Sequence, residues 1–264
     1  CDVSRCSTFR YVIQKYVCNE MTFDGLKFDF RTYWIVISMD PLVVMYHDAF
    51  VRLGNAKYDE SDFSNTVSHL TTGVGTSMWN KDSWASFEQL IKDHAKKHLP
   101  HLRDPVEHVK KQARQATGEM AAAFKDSVFK VGTKHFASEN TFGWFAADFI
   151  IDNDLDIWLL EAQRGPALDE SHMFRVDLNN EVFIEMFSLV NEVIEKQEAG
   201  LPIMPLKNQK TFDTVYEDGW VYTYDGYKRS DRKKTCSIKG VSEDDSESDD
   251  PKVQAMKRMI SSTS

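Results

Sequence analysis

Two adjacent strand-like segments, separated by a short polar turn, constrain the fold of this chain more than any other feature. The first covers residues 142–152 and the second covers residues 155–166, and the turn that joins them is Asp152-Asn153-Asp154. Both segments are rich in aromatic and branched apolar residues, which favour strands, whereas Asn and Asp favour tight turns. The pattern predicts a β-hairpin and therefore an antiparallel sheet.

Two acids in this hairpin point to a metal site. If Asp152 pairs with Ile157 across the turn, Asp148 lies directly opposite Glu161, and Gln163 shares the face of Glu161 because side chains alternate along a strand. Like charges that face each other across a hairpin destabilise it. A cation between them would remove this cost, and oxygen ligands suit Mg²⁺ held jointly with nucleotide phosphates. A solvated hairpin with scattered acids is the alternative from these residues alone.

Composition indicates a soluble globular protein. The chain of 264 residues is 42% hydrophobic and 28% charged, and it contains no apolar run of the ~18 residues that a membrane span requires. Its net charge of −9, concentrated in part in residues 243–250, argues against non-specific binding to nucleic acid. The cysteines Cys1, Cys6, Cys18 and Cys236 lack metal-ligand spacing, and we expect free thiols in a reducing, cytoplasmic compartment.

The remaining periodicity predicts strands first and helices later. The predicted strands are residues 11–17, 27–38, 42–46 and 49–53, the last two forming a hairpin around His47 and Asp48. The predicted helices run from Ser83 to about His98, from Pro105 after the capping Asp104, and over residues 180–198, before Gly200. This order favours an α+β domain over residues 1–202, with a mostly antiparallel sheet flanked by helices. Residues 203–264 are predicted to pack in part and then form a disordered tail with a basic run at 228–234 and an acidic run at 243–250.

The strand at residues 27–38 carries a charged face. Lys27, Asp29 and Arg31 alternate with Phe28 and Phe30, so the three charged groups follow one another at intervals of ~7 Å. Two cations and an acid in a row can hold a polyphosphate together with its ribose or metal. An exposed edge strand with mixed charges is the alternative for this strand taken alone.

Neighbouring segments complete a nucleotide site. They offer an adenine-binding edge, a further cation and neutral donors, and the residues concerned are Gln14, Lys15, Tyr16 and Val17, then Arg52, then His69 and Thr71. Together with the charged strand and the paired acids, these groups supply what a Mg²⁺-nucleotide needs.

These segments resemble the tubulin–tyrosine ligase-like family, whose catalytic domain has the ATP-grasp fold. The resemblance extends from about Tyr11 to about Leu168 and rests on the order and spacing of five motifs. They are Gln-Lys-Tyr at 14–16, Lys-Phe-Asp-Phe-Arg at 27–31, His-Leu-Thr at 69–71, Asp-Phe-Ile-Ile-Asp at 148–152, and Trp-Leu-Leu-Glu-Ala-Gln-Arg-Gly-Pro at 158–166.

The resemblance implies a role for each candidate residue. It implies ATP binding by Gln14, Lys15, Tyr16, Val17, Lys27, Asp29, His69, Thr71 and Leu160, catalytic roles for Arg31 and Arg52, and Mg²⁺ ligation by Asp148, Glu161 and Gln163. The implied reaction uses ATP to join glutamate, glycine or tyrosine to a protein acceptor through an acyl phosphate. The implied acceptor is tubulin or another acidic protein, which would place the chain at the cytoskeleton or in a cilium.

Three departures from the family pattern leave a second function open. Gln163 and Thr72 stand where the family has Asn, and Arg164-Gly165 replaces small residues. The resemblance also implies a first lobe preceding Cys1, so we expect weak or no turnover from these 264 residues alone. The alternative is a non-catalytic, microtubule-associated scaffold built on a decayed ligase domain. The retained charged residues favour the ligase.

Overall fold

An antiparallel sheet forms the centre of the computed structural model, which describes residues 15–71, 83–130, 141–166, 168 and 173–224. Within these residues the sheet has seven strands: β1 (Thr22–Phe23), β2 (Leu26–Met39), β3 (Leu42–Lys57), β4 (Gly143–Ile151), β5 (Ile157–Gln163), β6 (Asp213–Glu217) and β7 (Trp220–Val221). Their order is β5-β4-β2-β3-β6-β7, with β1 paired to β2. The described helices are α1 (Thr66–His69), α2 (Ser83–His98), α3 (Pro105–Lys130) and α4 (Met173–Glu198). The predicted α+β class, a mostly antiparallel sheet flanked by helices, is confirmed.

The two faces of β2 belong to two different cores. Phe28, Phe30 and Trp34 pack with apolar residues of α2 and α3 on one face. Tyr33 and Ile35 pack with apolar residues of α4 on the other face. The strict alternation of side chains along β2 separates these sets. On the face of β2 that packs against α4, Tyr33 is the first apolar residue. The residues of β2 before Tyr33 on this face can therefore carry charged groups.

The start of α3 follows its sequence signal. The backbone N–H of Glu107 donates a hydrogen bond of 3.0 Å to the Asp104 carboxylate, which satisfies one of the unpaired donors of the first turn. α2 also covers the predicted residues. α4 ends before Gly200, which has a positive φ of 65°, but it begins at Met173, earlier than predicted.

The predicted hairpin around His47 and Asp48 is wrong. β3 is one continuous strand paired with β2, and the turn lies between Met39 and Leu42. The register skips at Ala49, so the polar pair lies at a β-bulge within the strand. A bulge accommodates an interruption of the alternating pattern without reversing the chain.

Two further expectations also fail. Residues 15–17 have no strand structure, and the rest of the predicted first strand, residues 11–14, lies outside the described residues. Cys18 is disulfide-bonded, so the expectation of four free thiols is wrong for this residue.

The segment after α4 contributes to the sheet through β6, which pairs with β3, and β7. Tyr222 packs against the core, whereas the Trp220 side chain is 54% exposed. The basic and acidic runs lie in residues 225–264, outside the described part of the chain. Among the described helices, none combines the length and the apolarity needed to cross a membrane.

Candidate nucleotide and metal site

The β4–β5 hairpin brings the two predicted metal ligands face to face. Asp148 and Glu161 are register partners, as predicted, and Gln163 shares the face of Glu161, to which its amide donates a hydrogen bond. Asp148 is fully buried, whereas Glu161 lies exposed on the outermost strand. The hairpin therefore places one acid in the interior and the other at the surface.

The register reaches this pairing by a different route from the predicted one. Ile157 pairs with Ile151 and not with Asp152. The next pairs are regular up to Phe149 with Leu159, and the extra residue Leu160 is then accommodated as a bulge. The bulge compensates for the shift at the turn, which is why the acids still oppose each other.

A buried network joins two arginines to two aspartates across β2, β3 and β4. Arg31 donates from Nε and Nη2 to the two carboxylate oxygens of Asp148 at 2.6 and 2.7 Å. Arg52 donates from Nε to Asp29 at 2.5 Å, and its Nη2 lies 2.8 Å from Asp148. The Thr71 hydroxyl donates to the second oxygen of Asp29. All five side chains are buried, so these contacts are little screened by solvent.

Burial and ion pairing compete within this network. Burial opposes ionisation of Asp148, but the hydrogen bond from Arg31 and the charge of Arg52 outweigh it and lower the pKa of this carboxyl. For Asp29 burial is the larger effect and raises the pKa, although Arg52 opposes it. Burial disfavours the charged Arg52, but Asp29 and Asp148 raise its pKa above the ordinary value. Asp148 is thus an ionised, acceptor-only group aimed at two guanidinium groups.

A second group of contacts surrounds the Lys27 ammonium. It forms an ion pair with Glu20 and donates a hydrogen bond of 3.4 Å to the Tyr16 hydroxyl. That hydroxyl lies 2.7 Å from Nδ1 of His69 and 3.3 Å from the Tyr58 hydroxyl. We call these five residues the Lys27 cluster. Three of them were predicted as nucleotide-binding residues, and the structure brings those three into mutual reach.

Glu20 and Tyr58 were not identified from the sequence. No motif marks either residue, because Glu20 reaches Lys27 only after the chain reverses between β1 and β2. The other candidates are more dispersed. Lys15 is exposed, Leu160 is half-buried, and Gln14 lies outside the described residues.

The donor set fits Mg²⁺ only when a ligand shares the ion. In the described segments no group of three or more His, Cys, Asp or Glu side chains is placed to hold a metal. Mg²⁺ commonly binds through one or two carboxylates together with substrate phosphates. Asp148, Glu161 and Gln163 carry oxygen atoms on neighbouring strands, and in this structure both oxygens of Asp148 are engaged by Arg31 and Arg52.

Comparison with known proteins identifies the family. The model of the Tubulin-tyrosine ligase family matches residues 4–199. The chain therefore belongs to this family, and the resemblance inferred from its motifs is confirmed.

Three relatives in this family carry names that refer to polyglycylase or polyglutamylase activity. The inactive polyglycylase TTLL10 of Homo sapiens is 27% identical over 210 residues, 76% of this chain and 30% of that protein. The protein polyglycylase TTLL10 of Rattus norvegicus is 27% identical over 221 residues, 78% of this chain and 30% of that protein. The probable tubulin polyglutamylase TTLL9 of Mus musculus is 28% identical over 219 residues, 82% of this chain and 45% of that protein. The chain thus spans less than half the length of these curated relatives.

Proposed function

We propose that this chain carries the nucleotide- and metal-binding part of an ATP-dependent ligase that adds an amino acid to a protein acceptor. The observation that carries the proposal is the buried network in which Arg31 and Arg52 meet Asp148, with Glu161 directly opposite on the next strand. Ligases of this type need fixed cations for a transferring phosphoryl group and carboxylates for its metal. Arg31 and Arg52 are the proposed cations, and Asp148 and Glu161 are the proposed metal ligands.

Each side chain has a role in this proposal. Arg31 and Arg52 stabilise negative charge on the transferring phosphoryl group and on the carboxylate that receives it. Asp148, Glu161 and Gln163 hold Mg²⁺, which supplies charge neutralisation of the phosphates when bound. Tyr16, Lys27 and His69 of the Lys27 cluster bind the nucleotide, together with Gln14, Lys15, Val17, Asp29, Thr71 and Leu160. Asp29 and Thr71 also orient Arg52.

The proposed reaction has two balanced steps. The γ-phosphoryl group of ATP is transferred to a carboxylate oxygen, which gives an acyl phosphate and ADP. An amine nitrogen then attacks the carbonyl carbon, the carbon–oxygen bond to phosphate breaks, and an amide, inorganic phosphate and a proton result. The protein contributes position and charge to both steps and forms no bond itself.

Tubulin, or another acidic protein, is the proposed acceptor. The support is the family together with the mouse relative, whose name includes tubulin polyglutamylase. Glutamate and glycine are the proposed added amino acids, with tyrosine as the third candidate. This substrate would place the protein at the cytoskeleton or in a cilium.

A ligation assay tests the proposal. The 264-residue protein is incubated with tubulin, Mg²⁺-ATP and labelled glutamate, glycine or tyrosine in parallel, and ATP binding is measured on the same preparation. Label in tubulin that depends on ATP supports the ligase. ATP binding without label limits the proposal to nucleotide binding. The absence of both ATP binding and incorporated label overturns the proposal.

A non-catalytic scaffold is the second candidate, and Gln163 favours it. Its side chain is one methylene longer than the family Asn, and Mg²⁺ demands near-ideal octahedral geometry. The human relative is also named inactive. Co-sedimentation of the chain with microtubules, without ATP binding, would support the scaffold over the ligase.

A further inference from the structure

Glu20 is anchored to the hairpin that carries the candidate metal ligands. The residue forms an isolated antiparallel bridge with Asp152 at the end of β4. Next to it, the Met21 N–H donates to the Ile151 carbonyl at 2.9 Å, and the Asn153 side chain donates to the Glu20 carbonyl at 3.3 Å. The backbone of Glu20 is therefore fixed on both sides relative to β4 and the turn that follows it.

The Glu20 carboxylate lies against the ammonium of Lys27 in a nearly solvent-free setting. The two side chains form an ion pair and are 2% and 10% exposed, respectively. The ammonium also lies 5.2 Å from the ring centre of Tyr16 and 5.3 Å from that of Tyr58. The Tyr58 hydroxyl donates to the other carboxylate oxygen at 3.5 Å. Two rings and one carboxylate thus surround a single cation.

Lysine needs such support if its charge is to be held at one place. The side chain is a flexible four-carbon stem with a compact ammonium, and a buried ammonium without a partner is unfavourable. Hydrogen bonds and ring contacts alone leave its charge uncompensated. Glu20 is the carboxylate that supplies the compensation here. Burial raises the pKa of Glu20, and the charge of Lys27 offsets part of that rise.

We propose that Glu20 is a positioning residue that holds the Lys27 ammonium between Tyr16 and Tyr58, so that a nucleotide phosphate meets a cation already in place. The inference rests on the proposed function, because it assumes that Lys27 binds the nucleotide. It extends that function by adding a carboxylate that contacts no substrate. It also links the Lys27 cluster to the β4–β5 hairpin, since Glu20 is bonded to both.

A double-mutant cycle on ATP binding tests the inference. The affinities of the 264-residue protein for Mg²⁺-ATP and for adenosine are measured with Glu20→Gln, Lys27→Met and the double variant. Glu20→Gln keeps the size of the side chain and removes its charge. Glu20→Asp is the conservative variant, and Glu181→Gln, at an exposed position of α4, is the matched control for the same chemical change. Thermal melts verify that each variant is folded.

The expected result is specific to the charge of the ligand. Glu20→Gln weakens ATP binding about tenfold, because the ammonium is no longer held in one place before the phosphate arrives, and leaves adenosine binding within about twofold. In the Lys27→Met background the same change has almost no further effect, and Glu20→Asp restores part of the affinity. Glu181→Gln matches the wild type throughout.

Three results would overturn the inference. An unchanged ATP affinity in Glu20→Gln excludes positioning while leaving the proposed function intact. If Glu20→Gln weakens ATP binding equally in the wild type and in the Lys27→Met variant, Glu20 acts through the fold. The same conclusion follows if Glu20→Gln weakens the binding of ATP and of adenosine equally. Absence of ATP binding by the wild-type chain removes the proposed function and this inference together.

Discussion

Arg31 and Asp148 are register partners on β2 and β4, and two hydrogen bonds of 2.6 and 2.7 Å join their side chains in parallel. This bidentate contact fixes the plane of the guanidinium. Arg52 approaches the same carboxylate from β3, so one acid orients two cations. The following predictions test whether this arrangement and its surroundings act as proposed.

Replacing Arg31 with Lys should reduce ligation strongly. Lys keeps the charge but cannot donate two parallel hydrogen bonds from a planar group. Relative to the ATP-dependent incorporation measured for the wild type in a protein that turns over, we expect a fall of about 100-fold, in the range seen when a fixed transition-state donor is lost. Arg103→Lys, at an exposed position, is the matched control and should be unchanged. Wild-type rates in Arg31→Lys would contradict the catalytic role.

Replacing Glu161 with Gln should remove the effect of Mg²⁺ on ATP binding. The change keeps the shape of the side chain and removes a hard anionic ligand. We expect Mg²⁺-ATP to bind about tenfold more weakly, on the order of 1.4 kcal/mol, with no change for ATP in EDTA. Glu181→Gln provides the surface control. Similar affinity in wild type and Glu161→Gln would remove the case for a metal site.

Replacing Gln163 with Asn should strengthen the metal site. The shorter amide matches the family residue and relieves the constraint that Mg²⁺ geometry places on a longer side chain. We expect a lower Mg²⁺ concentration for half-maximal ATP binding and, in a ligase, faster incorporation. An unchanged Mg²⁺ requirement in this variant would show that Gln163 is not a ligand.

Replacing Glu185 with Gln should destabilise the fold without touching the site. The buried Glu185 carboxylate on α4 accepts hydrogen bonds from the backbone N–H groups of Lys210 and Thr211 and from the Thr211 hydroxyl. Because hydrogen bonds to a charged group contribute about 1.5–3 kcal/mol each, we expect a loss of about 2 kcal/mol in the free energy of unfolding. Chemical denaturation measures this loss.

The same variant should change the pH dependence of stability. Burial raises the pKa of Glu185, but the hydrogen bonds to Thr211 and its neighbours outweigh burial and lower it below 4.5. A lowered folded-state pKa gives stability that is complete above 4.5 and is lost as the pH falls through the folded value. Glu185→Gln should therefore lose less stability than the wild type over that acidic range. Parallel curves for the two proteins would contradict the assignment.

Replacing Gly118 with Ala should loosen α3 from the sheet. A Cβ at this position would lie 2.6 Å from the carbonyl oxygen of Val215 in β6 and 3.0 Å from a methyl group of Val221. Such overpacking costs about 1–3 kcal/mol. Gly165→Ala, where no atom lies within 4 Å, is the control. Equal melting temperatures for the two variants would show that the helix moves without cost.

Local patterns in the sequence were enough to predict much of the site. Alternation along β2 places Lys27, Asp29 and Arg31 on one face, and the structure keeps them there because the opposite face is packed against α2 and α3. The opposition of Asp148 and Glu161 was also predicted, since both flank a single turn. Such predictions succeed when the spacing within one or two neighbouring strands determines the outcome.

Features that depend on how strands far apart in the sequence align with one another could not be predicted. The choice of partners by Arg52 depends on how β2, β3 and β4 align, and the bulge at Ala49 alters the β2–β3 alignment by one residue. The bulge at Leu160 alters the β4–β5 alignment in the same way. Nothing in the alternating pattern marks either bulge. Glu20 was missed for the same reason, because its contact with Lys27 depends on the β1–β2 reversal and its anchoring on the distant β4.

The bulge at Leu160 divides β5 into two halves with opposite phase. Leu159 keeps the phase of the apolar face through its pairing with Phe149, whereas Glu161 takes the phase of Asp148, although the two residues are two positions apart. In an uninterrupted strand both would point to the same side. If the strand kept Leu160 without the bulge, Leu160 would pair with Asp148, and Glu161 would turn toward the side that Leu159 occupies. The side of the sheet on which Glu161 lies thus depends on one bulged residue as well as on the alternation along the strand.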